Sequence, residues 1–348
     1  MSAPLAAVAA AMLLAAPSVR AQSAETVAAS VPIQERGKPA PPSDLPADTP
    51  MLGGTVLHSE RIFARPTGYR PLRMDIFRPV KPAAAKRPLL VWVHGGAWVE
   101  GAPQGASGYA DWPGVLARMA ARGYVVAAVS YRLAKEAALP AAIRDVKAGI
   151  SWLRAHDAAF GIEATKVGIW GESAGGHLIG LAATTCGVAE FEPVDETRRR
   201  AGGTPPPPSP SNCVQAAVGW FGIYDFNFEG PIKIPPQPPE DPTRLFLGCT
   251  VAQCTPAQRA WASPVIYVDA SDAPMLLIHG DADMAVPYQQ SEVMAAKLKA
   301  AGVPVETLIL PGANHGWFAT TSEATAAAHR KALAATIDYF DRKLGPQP

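Results

Sequence analysis

Neither sign of charge dominates this chain of 348 residues, in which 31 lysines and arginines stand against 30 aspartates and glutamates and the longest basic run is Arg198-Arg199-Arg200. So balanced a surface attracts neither the phosphates of nucleic acid nor an anionic membrane, and neither is expected as a partner. Cysteine is scarce, with four residues, and neither a histidine nor a second cysteine pair stands near them at zinc-ligand spacing. No metal is therefore expected. The sequence also lacks the glycine pattern that binds dinucleotides, so no organic cofactor is expected, and it contains no internal repeat. Charged residues make up only 18% against 48% hydrophobic ones, which excludes a disordered chain and leaves enough apolar material to cover a sheet on both faces.

Long apolar runs are almost missing as well. The one candidate, residues 1–21, is an Ala/Leu stretch interrupted by Pro4 and Pro17 and ending at Val19-Arg20-Ala21. It is short for a membrane span, which needs ~20 apolar residues, and reads as a secretory signal peptide, so the protein is expected to be secreted or periplasmic with no stable membrane insertion. Residues 22–50, rich in Pro, Ala and polar side chains, are predicted to be a flexible linker, and 51–348 to form one catalytic domain. Four cysteines suit an exported protein and allow three pairings. Cys249 and Cys254 lie close together in a loop, and Cys186 and Cys213 flank a single proline-rich insertion, which favours Cys186–Cys213 with Cys249–Cys254.

Polar and apolar residues alternate through 55–64 and 72–77, the pattern of an antiparallel hairpin. After it come short apolar runs at 89–93, 125–129, 167–170, 216–219, 275–278 and 305–310, separated for the most part by stretches with helical periodicity at 112–122, 140–156, 175–184, 289–301 and 322–343. Alternation of this kind predicts an α/β fold with a mostly parallel, doubly wound sheet. Gly123, Gly161 and Gly302 fit helix C-caps. Two proline-rich segments, 190–212 and 226–242, interrupt the rhythm as loops over the sheet.

The residues with chemistry stand at the ends of these runs. Gly171-Glu172-Ser173-Ala174-Gly175 follows the run 167–170 directly and precedes a helix, the context of a nucleophile elbow, whose strained strand-to-helix turn leaves no room for a Cβ two residues before or after the serine. A serine hydroxyl needs a base to take its proton and a carboxylate to fix the base's tautomer. His315, in the turn Gly312-Ala313-Asn314-His315-Gly316 after the run 305–310, is the candidate base; His279 closes a strand and reads as structural, and His329 lies within a helix pattern. The loop after residue 278 offers Asp281 and Asp283. Asp283 stands farther along the turn and is the better acid, whereas Asp281 fits a turn residue bonding backbone amides. His94-Gly95-Gly96-Ala97-Trp98 follows the run 89–93 and matches the H-G-G loop that supplies one oxyanion N–H, with the other coming from Ala174.

Taken together, these residues resemble the α/β-hydrolase carboxylesterases with an H-G-G-x-W loop, a group similar to hormone-sensitive-lipase-like esterases and to bacterial feruloyl and acetyl esterases. The likeness runs from about residue 54 to the C-terminus and rests on His94 to Trp98, Ser130-Tyr131-Arg132-Leu133, Gly171 to His177, Trp220-Phe221-Gly222, His279 to Asp283, Val286-Pro287 and His315-Gly316. It implies a triad of Ser173, Asp283 and His315, an oxyanion hole built from the amides of Gly96, Ala97 and Ala174, and no metal or cofactor. The implied activity is serine-dependent hydrolysis, through an acyl-enzyme, of short-acyl or carbohydrate-linked esters, a small molecule or a carbohydrate being the partner. Ala97 and Trp98 stand where lipase-like members carry a third glycine, which leans toward the feruloyl and acetyl branch and keeps amide hydrolysis of the kynurenine-formamidase type as the alternative. A non-catalytic binding module on the same fold is the remote one. Trp98, Trp220, Tyr224 and Trp317 each stand in or next to a loop bearing one of these elements and are candidate substrate contacts, with core packing the competing reading.

Overall fold

The computed structural model describes residues 22–33, 48–81, 85–194, 210–228 and 241–345. The predicted signal peptide lies outside them, as do most of both proline-rich segments. Nine strands form one sheet: β1 (Thr49–Met51), β2 (Thr55–Ala64), β3 (Leu72–Pro79), β4 (Arg87–Val93), β5 (Val125–Val129), β6 (Ile162–Glu172), β7 (Ala216–Trp220), β8 (Met275–Gly280) and β9 (Val305–Leu310). Their spatial order is β1-β2-β3-β5-β4-β6-β7-β8-β9. The first three strands and the β3–β5 pair are antiparallel; every pair from β5 to β9 is parallel. This is the expected α/β-hydrolase arrangement of a parallel sheet with an antiparallel N-terminal hairpin.

Strand alternation decides which helices cover which face. In β4, Leu89, Val91 and Val93 face the helices Ala141–Ala155, Ala174–Thr184 and Gln289–Ala300 through Ile143, Val146, Leu178 and Met294. Leu90 and Trp92 face the opposite way, onto Trp112–Ala121 and Ser322–Lys343 through Val115, Leu116, Leu333 and Phe340. With every side chain of β5 and β7 buried, these central strands read as continuous apolar runs instead of alternating ones, as a sheet covered on both faces requires.

The linker expected over 22–50 needs correction at both ends. Residues Ala24–Ala29 form a helix whose Ser23 cap accepts a hydrogen bond from the Thr26 amide, and Val27, Ala28 and Val31 are buried in the core cluster that holds the C-terminal helix. Burial of Val27 and Val31, one turn apart, offsets the entropy of ordering so short a segment. Farther on, Ile33 bridges Tyr109, and Thr49–Met51 pairs with β2. Residues 34–47 lie outside the described residues. Both disulfides form in the favoured pairing, Cys186–Cys213 and Cys249–Cys254.

Candidate active site

In an open α/β sheet, the loops at the carboxyl ends of the strands gather at one rim. Here His94 directly follows β4, Ser173 follows β6 and Asp281 follows β8, and the turn His315–Trp317 comes after β9.

Ser173 has φ 50° and ψ −116°, a conformation side chains rarely adopt, held by its amide donating to the Trp220 carbonyl and its carbonyl accepting from the His177 amide, both at 2.9 Å. The elbow is also closely packed. A Cβ on Gly171 would lie 2.6 Å from the Val93 carbonyl oxygen, and one on Gly175 would lie 2.1 Å from that atom and 2.5 Å from the His94 oxygen. Both neighbours are backbone of the strand end that leads into the His94–Gly101 loop, so relief requires that loop to move. Gly175→Ala is accordingly expected to cost about 3 kcal/mol or more and to lower hydrolytic activity by about 10²-fold through displacement of the loop from Ser173. Gly105→Ala, where nothing lies closer than 3.8 Å and φ is ordinary, is the control expected to melt and act like the parent.

His315 Nε2 stands 2.9 Å from Ser173 Oγ, and its Nδ1 stands 2.8 Å from Asp283 Oδ2. The Asp283 side chain is buried, and its Oδ1 accepts from the amides of Ala285 and Val286 at 2.9 and 2.8 Å. Burial pushes its carboxyl up, but hydrogen bonds from His279 and His315 outweigh this and hold it below the usual carboxylate range. Asp281 instead accepts from the Gly312 amide, joining the two loops as a turn residue.

Two side chains that the sequence did not single out for the site belong to this framework. Asn314 Oδ1 accepts from the amides of both His315 and Met284, fixing the His315 loop to the Asp283 loop. His279, read from sequence as structural, is buried with Nε2 3.3 Å from Asp283 Oδ2 and 2.9 Å from the Val286 carbonyl, while Nδ1 meets Ser291 Oγ. A strand-terminal histidine four residues before Asp283 was the available signal.

In the loop after β4, φ is positive at three consecutive residues, Gly96 (100°), Ala97 (48°) and Trp98 (61°). The Gly96 carbonyl accepts from the amides of Val99 and Glu100, and Tyr131 Oη donates to the carbonyls of His94 and Gly95. Gly96, Ala97 and Ala174 line one cleft of about 210 Å³ together with Ser173 and His315; Ile223, Ala285 and Val286 form its apolar side. A second cavity of about 290 Å³, behind His94, is bordered by Asp75 and Gln104 and touches neither Ser173 nor His315.

The four aromatic residues expected as substrate contacts are all fully buried; for Trp220, Tyr224 and Trp317, which do not line the cleft, that expectation is corrected. Trp98 borders the cleft, but its ring stacks on Phe246 at 4.4 Å and its Nε1 donates to His177 Nδ1. Trp220 and Trp317 pack edge to face at 5.8 Å, and Trp220 Nε1 donates to Thr336. Tyr224 lies in the core beside Gly180 and Gly219. Large rings close to the strand ends gain more by filling the space under the loops than by facing solvent. Among the described residues no group of His, Cys, Asp and Glu could hold a metal ion.

The sheet order and the strand-end positions of these residues define an α/β-hydrolase. The chain belongs to the BD-FAE family, whose model matches residues 74–298. Esterase LipC of Mycobacterium tuberculosis is 33% identical over 285 residues, 78% of this chain and 64% of that protein, so the chain spans just under two thirds of this relative's length. A carbohydrate esterase from gut microbiota, 23% identical, shares the fold with TM-score 0.66 over 85% of this chain and 99% of its own. The thermophilic esterase Est2 of Thermogutta terrifontis superposes with TM-score 0.64 at 25% identity, over 83% of this chain and 93% of that one, and has also been solved with propionate and with butyrate bound.

Proposed function

We propose that this chain is a serine-dependent carboxylic ester hydrolase acting on short-acyl esters, including those of carbohydrates. The observation that carries the reading is the unbroken hydrogen-bonded series from Ser173 Oγ through His315 to the buried Asp283. His315 Nε2 takes the Ser173 proton as Oγ bonds to the ester carbonyl carbon, and the carbonyl oxygen becomes an oxyanion facing the amides of Gly96, Ala97 and Ala174. Collapse breaks the bond to the alcohol, which leaves with the proton from His315. Water, deprotonated by the same imidazole, then attacks the acyl carbon; the bond to Ser173 Oγ breaks, Oγ takes the proton back from His315, and the acid is released. Asp283, held in its charged form, keeps the proton of the resting imidazole on Nδ1 and stabilises the imidazolium.

The cleft is small, and its Ile223, Ala285 and Val286 wall offers apolar contact to a few methylenes. The propionate- and butyrate-bound forms of Est2 support a short acyl group. Two disulfides fit an exported protein, since such bonds persist in oxidising compartments.

A series of p-nitrophenyl esters with N-formylkynurenine as the amide arm tests the reading, together with stoichiometric labelling by diethyl p-nitrophenyl phosphate. The expected outcome is a kcat/KM highest for acetyl to butyryl, lower by about 10²-fold for long acyl chains, because methylenes beyond the capacity of the cleft must displace its Ile223, Ala285 and Val286 wall at ~1–3 kcal/mol, and a single label on Ser173. A label on another serine, or faster turnover of the amide, refutes it.

A further inference from the structure

Directly before the serine stands a carboxylate that the reaction above does not use. Glu172 is buried at the end of β6, and no lysine or arginine pairs with it among the described residues. Both its oxygens lie 3.0 Å from the Ser107 amide, Oε1 also takes the Ser107 hydroxyl at 3.2 Å, and the nearby Gly95 amide favours its charged form. Each of these donors is on the segment between Gly95 and Ser107, which carries Gly96 and Ala97. At Gly95 the segment packs closely against the side chain, for a Cβ there would come within 3.1 Å of Glu172 Cγ. A buried carboxylate without a counter-cation lowers stability unless it is well hydrogen-bonded, and here every donor comes from the loop facing Ser173.

We propose that Glu172 is a positioning residue whose carboxylate, as the anion, clasps the 95–107 loop against the nucleophile elbow and so holds the Gly96 and Ala97 amides where the oxyanion develops. The inference rests on the serine-hydrolase reading above. Only the anion accepts at every contact: a protonated carboxyl turns an O–H toward N–H and O–H donors and gives up at least one bond. Burial pushes the Glu172 carboxyl up to about 7, against the lowering by Ser107, by the His315 charge and by Gly95. The other titratable groups that act across it are Tyr109 and Tyr131, both pushed up by burial and both neutral in this range. As pH rises, Glu172 loses its proton and the clasp closes; the reaction separately needs the His315 imidazole without its second proton to accept from Ser173. The acidic limb of the activity profile therefore involves two protons.

The test compares the full chain with Glu172→Gln and Ser107→Ala on p-nitrophenyl butyrate across pH. Wild type is expected to show an acidic limb of log kcat steeper than one proton. Glu172→Gln is expected to lose about 10- to 100-fold in kcat with little change in KM, as when one oxyanion donor is displaced, and to show a one-proton limb. Ser107→Ala, which removes one donor to the anion, moves the steep limb to higher pH, and it carries the test where Glu172→Gln does not fold. An unchanged kcat with a two-proton limb in Glu172→Gln, or an unmoved limb in Ser107→Ala, overturns the proposal. Diethyl p-nitrophenyl phosphate labelling separates the two readings, because a label still confined to Ser173 leaves the nucleophile assignment standing when the clasp fails.

Discussion

Ser173→Ala is expected to lower kcat on p-nitrophenyl butyrate by about 10⁵- to 10⁶-fold while leaving a folded protein. The side chain's described hydrogen bond is the one with His315, so its removal leaves no buried group in want of a partner. Alanine also accepts the backbone. Ala97 in this chain already has φ 48°, close to the 50° of Ser173, so the strain of the elbow is unchanged and the melting temperature is expected to stay close to that of the parent. The amides of Gly96, Ala97 and Ala174 and the cleft remain, and with them is expected the residual ~10³- to 10⁴-fold acceleration over water that binding and electrostatics give without a nucleophile. Butyrate, as the product acid, should bind the variant as it binds the parent. A variant that keeps more than about one hundredth of the parent kcat would mean that the attacking group is another one.

Much of this was written plainly in the sequence, and for physical reasons. Parallel strands buried on both faces leave continuous apolar runs, so β4 to β9 were placed by residues 89–93, 125–129, 167–170, 216–219, 275–278 and 305–310. The helix 322–343 was found to the residue, and Gly123, Gly161 and Gly302 do have positive φ. The elbow was legible because a steric requirement forces small residues at fixed offsets from Ser173. Less visible was the lower half of β6, where Glu163 to Lys166 break the apolar pattern. The Ala24–Ala29 helix escaped because six residues hold too little periodicity; what fixes it is contact with a helix some 300 residues later. Burial of Trp98, Trp220, Tyr224 and Trp317 was equally unreadable, since an aromatic near a strand end has the same local context whether its ring turns down into the core or up toward substrate. Glu172 and His279 were in sight as motif letters, yet their partners, Ser107 and Asp283, are set by tertiary approach.

Asp283→Asn is the substitution in which those partners matter most. It preserves shape and removes one charge, and kcat is expected to fall by about 10⁴-fold with KM little changed, because in the proposed reaction Asp283 sets the tautomer of His315. The carboxylate is an acceptor on both sides: Oδ1 takes the Ala285 and Val286 amides, Oδ2 takes His315 Nδ1 and His279 Nε2. His279 Nε2 also faces the Val286 carbonyl, which can only accept, so that nitrogen carries a proton. An asparagine has one acceptor oxygen for these two sides. With its amide nitrogen toward the imidazoles, it forces the His315 proton from Nδ1 to Nε2, where it blocks acceptance of the Ser173 proton, and it sets N–H against N–H at His279. With the oxygen toward the imidazoles, the nitrogen confronts the amides of Ala285 and Val286. Either orientation strands a buried donor, at ~1–3 kcal/mol of stability, so the melting temperature is expected to fall along with the rate. The loss of stability is pH-dependent. A carboxyl held below its usual range stabilises the fold above the unfolded value near ~4 and ceases to do so as acid protonates it, so the gap between parent and Asp283→Asn should be widest at neutral pH and close on acidification. Melting curves recorded down the pH scale measure this, and a gap that stays constant into acid would show that the Asp283 charge contributes nothing to the fold.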